Sequence, residues 1–125
     1  MPRKAVKSTQ MLQILNEQGE LRDEVPEGLN EEKVKKIYEF MILTRAFDRT
    51  ALALQREGRM LTYASTLGQE AQVAAAFALE KNDWFVPSFR EHGVFFAREY
   101  PMSQYILYWV GDERGMQIPK DINCT

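Results

Sequence analysis

The sequence predicts a predominantly helical fold with a few short strands. Apolar residues recur at helical spacing from Val34 past Leu52, and an alanine-rich helical segment follows Gly68. The connecting segments GRMLTYAST and WFVPS are extended in character. At 125 residues, 45% of them hydrophobic and 27% charged, the chain is long enough for one domain with its own core.

The elements follow in order. Residues 1–29 read as an extended N-terminal arm, punctuated by Pro26 and Gly28, with a short hairpin about Asn16–Gly19. It is either a loose tail or a strap lying on a partner subunit. A long helix then starts at Asn30, a good N-cap followed by Glu31 and Glu32, with Leu29 placed to staple against Val34. Apolar residues on more than one face between Phe40 and Leu54 predict burial by several neighbours, and Gly58 supplies the stop. Arg45 and Asp48, three residues apart, are expected to pair as a structural ion pair on one side of this helix.

GRMLTYAST is expected to be extended and to turn at Thr66–Gly68 into a second helix, QEAQVAAAFALEKND, whose small residues admit another backbone closely. WFVPS reads as a short strand leading into a third helix, REHGVFFAREY, which Pro101 breaks. A fourth helix is expected over Met102–Val110, ended by GDERG. The last residues, MQIPKDINCT, show no closing element. Nine of the fourteen aromatic residues lie between Trp84 and Trp109. At these spacings most read as core; a base-stacking platform would need basic residues interleaved with them.

Several function classes lose support at once. The net charge is -2 with no basic run, which argues against phosphate-tracking nucleic-acid binding. No apolar run approaches the ~20 residues that span a bilayer. The basic start MPRKAVKSTQ lacks the apolar block of a signal peptide. A single cysteine, Cys124, forms no internal disulfide and fits a reducing compartment, so the expected location is cytoplasmic. No glycine-rich phosphate loop, paired-cysteine metal site or serine–histidine–aspartate arrangement occurs, and no residue is put forward as a metal ligand.

Two clusters remain: GQEA at Gly68–Ala71 and SFREHG at Ser88–Gly93. The second places Arg90 after an extended segment at a helix start. Main-chain N–H groups and the helix dipole attract anions there, and a guanidinium adds a bidentate donor. From the residues alone this is equally a phosphate or carboxylate site or a solvated first helical turn. His92, the only histidine, is ambiguous in the same way: a hydrogen-bonded core residue among aromatics, or a proton carrier.

The collinear series YEFMILTRAFDRTALALQREGRM, YASTLGQEAQVAAAFALEKNDWFVPSFREHG and ILYWVGDERGMQIPKDIN resembles the thiamine-diphosphate-dependent 2-oxo acid dehydrogenases. The likeness is to the alpha subunit of their decarboxylating component, of pyruvate or branched-chain type, and runs from about residue 30 to the end. The combination that carries it is GQEA, an aromatic–arginine pair some twenty residues later, and a G-x-x-x-G-x-x-I-P segment from Gly111 to Pro119.

The resemblance implies an α/β thiamine-diphosphate-binding fold for the whole subunit. It also implies oxidative decarboxylation of a 2-oxo acid, with acyl transfer to a lipoyl group. The expected partners are a beta subunit, in a heterotetramer of two alpha and two beta chains, and the lipoyl acyltransferase component. The family's tyrosine–arginine pair grips the cofactor's diphosphate. Phe89 and Arg90 stand at those positions, and Phe89 lacks the phenolic hydroxyl. His92 is carried over as the candidate catalytic residue near the same pocket, and Gln69 as a residue lining or shaping the cleft.

The chain departs from the family pattern in two further places. No second histidine occurs near Gln117–Asn123, and the glycine–aspartate–glycine motif that ligates magnesium is missing from the 125 residues. The expectation is therefore an arm, 1–29, followed by the N-terminal part, 30–125, of a dehydrogenase domain cut before its magnesium motif. Thiamine diphosphate and magnesium would act in the intact enzyme but would not be held by this chain alone. The alternative reading is a non-catalytic helical module that binds another subunit.

Overall fold

The computed structural model describes residues 13–120 and 122–124, which fall into two compact units, residues 1–31 and 32–125. In the first, the Asn16 Oδ1 accepts from the main-chain N–H groups of Gln18 and Glu20 at 3.0 and 2.8 Å. Gly19 takes the φ of 80° that this turn requires. Leu15 and Leu21 then meet in one antiparallel bridge, so the expected hairpin forms. Residues 1–12 of the expected arm lie outside the described residues.

The second unit is helical. Helix α1 spans Glu31–Arg56, and its buried stripe is Thr44, Phe47, Asp48 and Ala51, the i, i+3, i+4, i+7 face. It ends in a Schellman turn: Gly58, at φ 71°, donates to the Gln55 carbonyl and Arg59 to that of Leu54. Burial on several faces does not follow, because Ile42 and Leu43 remain exposed. The described neighbours cover one face only.

An extended segment returns along α1 without pairing as a strand and turns into α2, Gln72–Ala78. Helix α3 covers His92–Ala97 and α4 covers Met102–Val110. Pro101 and Gly111 delimit α4, with Gly111 at φ 79° closing a second Schellman turn onto Tyr108 and Leu107. A 3-10 turn, Glu113–Met116, then folds against α4.

The core lies where α1, α3 and α4 meet. The Phe47 ring packs edge-on against Phe96 at 4.8 Å between centroids and lies 5.9 Å from Tyr105. Such aromatic pairs add roughly 0.5–1.5 kcal/mol beyond the area they bury. Helices α2 and α3 approach closely through Val73 and Gly93, so the small residue that admits the approach is the glycine of α3, while Ala74, Ala75 and Ala78 of α2 are exposed.

One expectation is corrected here. WFVPS is not a strand: among the described residues there are only isolated bridges, and Phe85 makes one with Cys124. No adjacent segment offers a further row of hydrogen bonds. The final described residues form no helix or strand, as expected, and they dock against residues 82–85. Phe85 N–H donates to the Asn123 carbonyl at 3.2 Å, the Asn123 amide donates to Asn82 at 3.0 Å, and Ile122 and Cys124 are buried.

Candidate functional site

The site is built on a carboxylate in the stripe of α1. Asp48 is 1% exposed, and a buried carboxylate is tolerable only when its oxygens are satisfied. Here Tyr63 Oη donates to Oδ1 at 3.0 Å and Ser65 Oγ donates to Oδ2 at 2.9 Å. Thr66 adds its main-chain N–H at 2.7 Å and its hydroxyl at 3.3 Å, both to Oδ1. In an extended chain residues i and i+2 point the same way, so Tyr63 and Ser65 reach one carboxylate together. Burial, and then the Asp48 charge, push the Tyr63 phenol far above its usual range.

The expected Arg45–Asp48 ion pair is absent. Asp48 turns into the core, where these donors converge. Arg45 turns outward and pairs its Nε with the Glu70 Oε1 at 2.8 Å. The same oxygen accepts from Gly68 N–H at 3.3 Å, which ties the GQEA turn to α1. The Arg45 bond is the main reason the Glu70 carboxyl is held down at about 2. Gln69 itself is exposed, while its neighbour Gln72 donates from Nε2 to the Arg90 carbonyl at 2.9 Å.

The other edge of the extended segment holds SFREHG. His92 is fully buried, its Nε2 2.8 Å from the Ala64 carbonyl and its Nδ1 2.6 Å from Tyr105 Oη. A carbonyl only accepts, so Nε2 carries the proton and Nδ1 accepts from the tyrosine. Burial lowers the His92 pKa and is opposed by the Ala64 bond. Both ring nitrogens are thus engaged, one by a phenol and one by a main-chain carbonyl. Tyr105, whose phenol burial raises, also walls a cavity of about 290 Å³ with Phe89, Glu91, Trp109 and Met116. Arg90 and His92 do not line it.

Arg90 is oriented differently. Its Nη1 donates to the Ser65 carbonyl, and its guanidinium lies 5.3 Å from the centroid of the Phe89 ring, which is 58% exposed. The main-chain N–H groups expected to receive an anion here are already taken. The Glu91 carboxylate accepts from Ser88 and Arg90 N–H at 2.9 and 3.0 Å. Glu91 makes no ion pair with Arg90, and among the described residues no other carboxylate does. One cation therefore stands on a neutral acceptor, with most of its donors unused.

Sequence reasoning found Arg90, Phe89 and His92 but missed Asp48, Tyr63, Ser65, Thr66 and Tyr105. A signal existed for the first: a carboxylate at the i+4 position of a buried stripe demands partners. The hydroxyl-rich TYAST segment is the only nearby source of several.

Residues 38–123 match the family described as Dehydrogenase E1 component. The chain belongs to that family. It is 40% identical over 114 residues to the pyruvate dehydrogenase E1 component subunit alpha of Bacillus subtilis, a match covering 90% of this chain and 31% of that protein. The subunit of the same name from Mycoplasma genitalium is 38% identical over 112 residues, 88% of this chain and 31% of the relative. That of Staphylococcus aureus is 37% identical over 118 residues, 92% and 32%. The chain thus spans about a third of the length of the curated relatives it matches.

Dehydrogenase E1 component proteins depend in general on thiamine diphosphate. The Arg90 guanidinium, lacking an acid partner, fits an oxygen of such a diphosphate. Among the described residues no group of three or more His, Cys, Asp or Glu side chains is gathered as for a metal ion. Among the same residues, no helix is long and apolar enough to cross a membrane.

Proposed function

We propose that the chain forms the anion-gripping corner of a 2-oxo acid dehydrogenase alpha subunit. Arg90 binds an oxygen of the diphosphate of thiamine diphosphate, Phe89 supports the guanidinium, and His92 positions the turn that carries both. The observation that carries this reading is the way Arg90 is held. The neutral Ser65 carbonyl fixes the guanidinium without neutralising it, which leaves a planar, preoriented cation for a phosphate. When bound, thiamine diphosphate supplies the electron sink for decarboxylation. The chain's own residues bind and orient.

The name shared by the matched relatives favours pyruvate over a branched-chain 2-oxo acid. The same proposal includes an α/β fold for the whole subunit, magnesium bound by ligands beyond those described, and a beta-subunit partner in an α2β2 assembly. Acyl transfer to a lipoyl acyltransferase and a cytoplasmic location complete it. A second reading, a helical module that binds another subunit, is favoured by Val34, Tyr38 and Ile42. These stand exposed at i, i+4 and i+8 along α1.

The test is calorimetric titration of thiamine diphosphate with magnesium. The samples are the chain alone, and the chain with a beta subunit and a polypeptide supplying the rest of the relatives' alpha subunit. Magnesium-dependent binding in the assembled sample, weakened about tenfold or more by Arg90→Gln, is expected. Absence of binding in every combination would leave only the interaction module.

A further inference from the structure

Asp48 touches no candidate ligand position, yet it sits behind both residues of the site. Its carboxylate accepts from Tyr63, Ser65 and Thr66. Two consecutive carbonyls of the same four-residue segment accept from residues around the start of α3: Ala64 from His92 Nε2 and Ser65 from Arg90 Nη1. The side chains flanking these carbonyls are the ones pinned to the Asp48 carboxylate. The segment has no strand partner among the described residues to hold it otherwise.

We infer that Asp48 is a positioning residue of the anion site: it templates Tyr63–Thr66 so that the Ala64 and Ser65 carbonyls hold His92 and the Arg90 guanidinium in place. The inference rests on the reading of Arg90 as the anion-binding residue and extends that site inward to α1. The chemistry requires an acceptor at the Oδ1 position. Oδ1 takes three of the four donors and Oδ2 takes one. Asparagine with its carbonyl in the Oδ1 position keeps the three. It meets Ser65 with an N–H that the serine hydroxyl can accept by rotating. Alanine keeps none.

Two readouts separate positioning from mere stability. His92 is the only histidine, so in the 125-residue chain one pair of imidazole nitrogen resonances reports its tautomer without overlap. Inorganic pyrophosphate, titrated by calorimetry into the chain assembled with a beta subunit and the rest of the relatives' alpha subunit, reports the Arg90 grip. In the wild-type chain the Nε2–H tautomer is expected to dominate. Asp48→Ala is expected to mix the tautomers and weaken pyrophosphate binding about tenfold, whereas Asp48→Asn restores both to within about threefold. Should Asp48→Ala fail to fold, Ser65→Ala removes the Oδ2 donor together with the acceptor of the Leu67 N–H, and should give a smaller shift of the same signals.

A folded Asp48→Ala, or Ser65→Ala in its place, with lowered thermal stability but unchanged His92 resonances overturns the inference. A wild-type assembly that ignores pyrophosphate while Asp48→Ala still shifts His92 overturns the anion reading instead, and leaves Asp48 as the residue that positions the turn.

Discussion

Gly93→Ala sets two opposed effects against each other. In most helices this change stabilises, because alanine restricts the unfolded chain and lies about 1 kcal/mol above glycine in helix propensity. At Gly93 the new Cβ would stand 2.8 Å from Val73 Cγ2, 3.1 Å from Gln72 Cγ and 3.3 Å from Thr44 Oγ1. The first is roughly 0.7 Å short of ordinary carbon–carbon contact. Relief by side-chain rotation is blocked. Val73 is fully buried, Thr44 is bonded to the Phe40 carbonyl at 2.7 Å, and Gln72 is bonded to Arg90. Helix α3 must therefore move off α1 and α2, an overpacking cost of about 1–3 kcal/mol. The propensity gain is at most about 1 kcal/mol in a helix of 6 residues. The net expectation is destabilisation by about 1–2 kcal/mol, read as a lower urea midpoint at unchanged slope. The Val73→Ala background supplies the control, because Gly93→Ala should cost little there once the clashing methyl is gone. An unchanged or raised midpoint for Gly93→Ala, or an equal loss in both backgrounds, would refute close packing as the reason for glycine.

Acid titration of stability should show two windows. His92 has a folded pKa below its ordinary 6.5, so the unfolded chain binds more protons there. Its contribution is complete above pH 6.5 and is lost as pH falls further, at up to about 1.4 kcal/mol per pH unit. The Glu70 carboxyl is lowered from 4.5 to about 2, so its contribution is complete above pH 4.5 and disappears toward pH 2. Fluorescence-monitored urea melts from pH 8 to pH 3 check both, and Glu70→Gln should flatten only the lower window while costing about 1 kcal/mol near neutrality. Tyr105→Phe leaves His92 Nδ1 without its donor and should cost about 1–2 kcal/mol by the same melts. Arg90→Gln should leave stability within about 0.5 kcal/mol of wild type while weakening pyrophosphate binding, since its bond is to a partly exposed carbonyl.

Local signals carried the parts of the fold that local chemistry decides. Pro101 and Gly111 bracket α4, and the expected Met102–Val110 agrees with the structure residue for residue. Gly58 and Asn16–Gly19 likewise act within a few residues of themselves. What misled was long-range. WFVPS has strand composition, but pairing depends on what lies beside it, and among the described residues its one bridge is to Cys124. Arg45 and Asp48 have the spacing for an ion pair, but spacing does not say which side chain faces the core. Their actual partners lie 25 and 15 to 18 residues away. At His92 composition left a core residue and a proton carrier open. The bonds to Ala64 and Tyr105, 28 and 13 residues distant, engage both ring nitrogens.

SFREHG looked like a site in which main-chain N–H groups, a helix start and a guanidinium add their attraction for an anion. The structure separates these contributions. Helix α3 is short, and the Glu91 carboxylate occupies the Ser88 and Arg90 N–H groups as an internal anion. A second anion at those donors would have to displace Glu91 or face its charge. The guanidinium escapes this competition because its partner is a carbonyl, which orients without neutralising. An incoming phosphate thus meets one preoriented cation over Phe89, beside a carboxylate already engaged elsewhere. A single arginine leaves most of a diphosphate's charge unmatched. Under the proposed reading, useful affinity therefore requires further positive charge, and Arg90 fixes where one phosphate oxygen goes.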